Sequence, residues 1–67
     1  MDNEKTKLIK FVITFQNDDK STTKYLVSRP SFYEAKQEAI TMQEDINTDK
    51  DISYRIDSYD VKESKVQ

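Results

Sequence analysis

With 67 residues, 34% hydrophobic and 36% charged, the chain is expected to form a single domain, 1–67, around one core, since a chain this short buries only about 60% of the surface its unfolded state exposes. It has no His, Cys or Gly, which excludes Ser-His-Asp and Cys-His nucleophiles, zinc and iron–sulfur centres, disulfides and glycine-built phosphate loops. A formal charge of −2 and a pI near 5.0 run against the basic surplus of nucleic-acid binders.

Met1 to Lys7 is polar with no apolar segment after it, so no secretory signal is expected. The apolar run Phe11-Val12-Ile13 falls far short of the roughly 20 residues that cross a bilayer. A cytoplasmic location and no membrane partner are the expectation. The residues outside 7–62, namely 1–6 and 63–67, read as frayed ends of the ordered core.

Ile9, Phe11, Ile13 and Phe15 alternate with Lys10, Val12, Thr14 and Gln16, the period of a half-buried strand. Asn17 to Thr22 supplies turn-forming side chains without Gly, which predicts a hairpin loop of four to six residues. Thr23 to Ser28 reads as the second strand, with Tyr25 and Val27 on one face and Lys24 and Leu26 on the other.

Arg29-Pro30-Ser31 ends that strand. Ser31 with Glu34 forms a capping box that starts a helix at Phe32. Phe32, Ala35, Ala39, Met42 and Ile46 make its apolar stripe. The helix is expected to fade at Asn47, a residue that tolerates a left-handed cap. Ile52, Tyr54 and Ile56 then alternate as a third strand. Tyr59 and Val61 have the opposite parity, so a bulge near Asp57-Ser58 or a change of face is required.

The order ββαβ, with a right-handed crossover, predicts an α+β fold. It is a three-stranded antiparallel sheet in the order 2-1-3 with the helix packed on one face. The other face is left to Leu8, Lys10, Val12, Thr14, Lys24, Leu26, Ser28, Ser53, Arg55, Asp57, Tyr59 and Val61. Its apolar members Leu8, Val12, Leu26 and Tyr59 mark a candidate contact surface. Tyr33 and Ile40, seven residues apart on the helix and off its core stripe, form a smaller second patch.

Three polar constellations invite other readings. Asp45, Asn47, Asp49 and Asp51 alternate like the first half of a calcium loop, but Lys50 stands where glycine is needed and Ile56 where the bidentate Glu belongs. Lys10, Lys24 and Arg55 with Tyr59 suggest a platform for single-stranded bases. Glu34, Glu38, Glu44, Asp45, Asp49 and Asp51 suggest an acidic imitation of a phosphate backbone, interrupted by Lys36 and Lys50. Together with the acidic turn 16–20 and the capped start 31–34, the order of elements is similar to that of small phage inhibitors of uracil-DNA glycosylase. That resemblance implies an inhibitor acting as a decoy for a nucleic-acid enzyme.

The reading that follows from the residues is a non-enzymatic binding or accessory protein working through protein–protein contact, with no catalytic residue, cofactor or metal site. The decoy and a weak nucleic-acid-binding module are the alternatives. A homodimer is the expected partner state, because a core this small is normally supplemented and no disulfide is available.

Overall fold

The computed structural model describes residues 7–64, and the expected fraying of 1–6 and 65–67 lies outside them. Four elements follow in order: β1 (Ile9–Asn17), β2 (Thr22–Arg29), α1 (Phe32–Thr48) and β3 (Ile56–Glu63). The strands form one antiparallel sheet in the order β2-β1-β3. With the helix on one face this is a small α+β domain, as the alternation and the ββαβ order predict.

Alternation in β1 becomes burial. Phe11, Ile13 and Phe15 are at most 2% exposed, and Ala35, Ala39 and Ile56 at most 3%. Val27, Met42, Ile46, Tyr54, Tyr59 and Val61 pack around Ile13, Phe15, Ala39 and Ile56. The two alanines bring the helix backbone close to the sheet, so the large side chains of β1 fill most of the gap. Edge-to-face ring contacts close its flanks, Phe11 with Phe32 at 6.2 Å and Phe15 with Tyr25 at 5.8 Å.

Four residues separate β1 from β2, within the predicted loop length. The turn is closed by Lys20 N–H donating to Asn17 C=O and Asn17 N–H to Ser21 C=O. Lys20 takes φ of 76°, a position where glycine would be unstrained. Asn17 is more than a turn former: it ends β1 at 6% exposure, and its Nδ2 donates to Ser21 Oγ and Thr23 Oγ1, both at 3.0 Å.

Ser31 caps α1, its Oγ accepting from Glu34 N–H at 3.4 Å. This is one of the two bonds of a capping box, and the reciprocal one is not formed. The far end departs from expectation. Asn47 stays helical, α1 runs through Thr48, and Asp49 caps it with φ of −83° and its N–H on Ile46 C=O. The Asn47 amide is used elsewhere, its Oδ1 accepting from Ile56 N–H at 2.7 Å and its Nδ2 donating to Ile56 C=O at 3.1 Å. Gln43, one turn earlier on the same side, donates Nε2 to the same carbonyl at 3.0 Å.

That joint explains why β3 begins at Ile56 rather than Ile52. Arg55 Nη1 takes the carbonyls of Ile52 and Tyr54, each at 2.8 Å, so these groups are spent on a side chain instead of a ladder. Ser53, Arg55 and the half-buried Tyr54 therefore belong to the connection, not to a strand face. Beyond it, Gln16 pairs with Ser58 and Asn17 with Ile56, leaving Asp57 as the extra residue of a bulge. The bulge restores parity, because Tyr59 lies opposite Phe15 and Val61 opposite Ile13, both on the helix side. Placing Tyr59 and Val61 on the open face is thereby corrected, and Asp57 falls outside the pairing. Glu63, expected to fray, is the last residue of β3, and Ser64 N–H donates to Lys10 C=O at 2.8 Å.

Phe11→Ala and Ile13→Ala are each expected to cost about 2–5 kcal/mol, measured as loss of the cooperative thermal transition. Asn47→Ala leaves the Ile56 N–H without its acceptor and is expected to cost about 1–3 kcal/mol. Asn47→Asp keeps that acceptor but sets a carboxylate oxygen against the Ile56 carbonyl in place of the donor, and is expected to lower stability below wild type in chemical denaturation.

Candidate contact surface

The residues that alternate with the core positions of β1 lie on the sheet face away from the helix, and register fixes their neighbours. Leu26, Val12 and Lys62 form one row across the sheet, and Lys24, Thr14 and Asp60 the next. Thr22, Gln16 and Ser58 form a third, and Ser28 pairs with Lys10 at the other end. Val12 and Thr14 are half-buried at the centre, and with Lys24, Asp60 and Lys62 they line a shallow depression of about 550 Å³. Leu26 and Leu8 are 65% and 62% exposed.

Of the four apolar residues predicted for this face, Leu8, Val12 and Leu26 therefore have its parity and Tyr59 does not. Without Tyr59 and Val61 the surface is more polar than the sequence suggests. Asp60 and Lys62 join it instead, because the bulge inverts the parity that alternation from Ile52 would assign. Among the described residues Lys10, Lys24, Asp60 and Lys62 form no ion pair, and the pair that is formed, Arg29 with Glu38 at 2.6 Å, joins the end of β2 to the helix.

The helix patch is only partly assembled. Tyr33 is 68% exposed, whereas Ile40 is half-buried in a shallow groove with Gln43, Glu44, Asn47 and Thr48. The two lie on the same side but two turns apart.

The remaining constellations are taken apart by the fold. Tyr59 and Arg55 leave the cationic platform, the first to the core side and the second to the 52–55 connection, so Lys10 and Lys24 face open solvent with no aromatic ring between them. In the alternating acids, Asn47 is held by Ile56 and Asp49 Oδ1 accepts from Asp51 N–H at 2.8 Å. No group of three or more carboxylates among the described residues is placed to hold a metal ion. In the acidic stretch Glu38 turns to Arg29, which separates Glu34 from Glu44 and Asp45. No helix among the described residues is long and apolar enough to cross a membrane.

At the hairpin tip the Asp19 carboxyl is held below its ordinary value, first by the hydrogen bond from Ser21 Oγ and then by that from Ser21 N–H. A carboxylate with a depressed folded pKa stabilises the fold above its unfolded pKa and loses that contribution as pH falls through the folded value. The stability advantage of the native chain over Asp19→Asn is accordingly expected to be full above pH 3.8, the ordinary value, and to shrink below it. Denaturation midpoints across that range, with a carboxyl NMR titration of Asp19, measure it. No protein-family model, curated protein or solved structure matches the chain.

Proposed function

We propose that this chain is a small non-enzymatic module that works through protein–protein contact, with the uncovered sheet face as its contact surface and a second copy as an occupant. The observation that carries the reading is a complete three-stranded face with no covering element among the described residues, bearing exposed Leu26 and Leu8 around half-buried Val12. A sheet presents two faces and one helix covers one of them, so the second is stabilised by whatever docks on it. The residue set supports the non-enzymatic part: without His, Cys or Gly, chemistry falls to carboxylates, Lys, Tyr, Ser and Thr, which need a water-excluding pocket to act.

Sedimentation of the wild-type chain at micromolar concentration is expected to give about twice the monomer mass of 7.9 kDa. Val12→Glu places an unpaired charge at the centre of the face and should return the mass to that of the monomer. Pairing through the free edges of β2 or β3 would survive that substitution and would overturn the face as the contact surface. A wild-type mass near 7.9 kDa overturns the self-association.

A further inference from the structure

The open face carries three lysines and Asp60, with Glu63 lining the same depression from the end of β3, and the register fixes where the first four sit: Lys62 beside Val12, Lys24 and Asp60 on either side of Thr14, Lys10 toward the end of the strand. None of them has an ionic partner within the chain among the described residues. Asp60 and Lys62 are alternate residues of β3, about 7 Å apart along the strand. Two copies meeting face to face are related by a two-fold axis lying between the sheets, and the position of that axis decides which charges oppose each other.

An axis across the strands at the Val12 row sets Lys62 against Lys62, and one at the Thr14 row sets Asp60 against Asp60 and Lys24 against Lys24. An axis along β1 opposes Lys24 to Asp60 but puts Lys10 on Lys10. The axis across the strands midway between the Val12 and Thr14 rows is free of like-charge contacts. It lays Asp60 of each copy over Lys62 of the other, Val12 over Thr14, Leu26 over the aliphatic stem of Lys24, and Lys10 over Gln16. The separation of about 10 Å between packed sheets suits a lysine reaching a carboxylate.

We infer that the chain pairs with a second copy about this axis, with reciprocal Asp60–Lys62 ion pairs fixing the register of the two sheets. The inference rests on the proposed face-to-face contact and adds its orientation. Opposed like charges disfavour the axes at the Val12 row, at the Thr14 row and along β1, and the reciprocal ion pairs favour this axis over those that oppose no charges, so the charges act chiefly on specificity.

The test is a charge exchange read by sedimentation equilibrium, with circular dichroism confirming that each variant retains the native helix and melting transition. Asp60→Lys and Lys62→Asp are each expected to weaken the dimer by at least about tenfold, and the double exchange D60K/K62D to restore it. K24D/D60K should remain as weak as D60K. Rescue by K24D/D60K in place of D60K/K62D overturns this axis in favour of the one along β1, and rescue by neither overturns the ion pairs altogether. A monomeric wild type removes the underlying contact, a failure seen before any variant is made.

Discussion

The fold depends on how one backbone residue, Ile56, is held. Its N–H and C=O are taken by the two ends of the Asn47 amide, as a neighbouring strand would take them, with Gln43 sharing the carbonyl. The other side of the chain is fixed by Asp18 N–H on Arg55 C=O at 2.8 Å and by pairing of Asn17 with Ile56. A one-residue slip in a strand exchanges its two faces. Clamping Ile56 from the helix while the ladder resumes at Ser58 leaves Asp57 outside the pairing, so Ile56, Tyr59 and Val61 all reach the core side despite their spacing.

With the parity of β3 settled, both faces of the sheet are settled. The helix side gains Tyr59 and Val61 around Ile13 and Phe15. This matters in a chain whose buried hydrophobic residues are few and include two alanines. The open side receives Asp60 and Lys62 in exchange. A surface that reads as an apolar patch with incidental charge becomes a charge pattern around a small apolar centre, which is better suited to fixing register than to supplying area.

The same economy acts at the other polar groups. Asn17 closes the hairpin from within, Arg55 occupies the carbonyls of its own connection, and Arg29 ties β2 to the helix through Glu38. Each of these side chains is committed to local structure. This is a common outcome in a domain with little apolar area, where backbone groups left unpaired cost more than the core can offset.

β1, the hairpin, the helix start at Phe32 and the sheet order are legible in the residues because local rules act on them directly: period-two alternation, turn chemistry, a capping serine and the connectivity of ββαβ. The apolar members Leu8, Val12 and Leu26 of the open face follow from the same alternation. The end of α1 and the start of β3 are not legible that way. Asn47 has a local preference to end a helix, and Ile52-Tyr54-Ile56 has the alternation of a strand, yet both yield to hydrogen bonds between residues 9 apart in sequence. Alternation gives a strand's period but not its phase after an irregularity. The sequence by itself determined that the alternating apolar side chains of β1, of which Phe11, Ile13 and Phe15 are buried, would lie under a helix. Only the tertiary structure, by clamping Ile56 and expelling Asp57 from the ladder, decided that Tyr59 goes to the core and Asp60 to the open face.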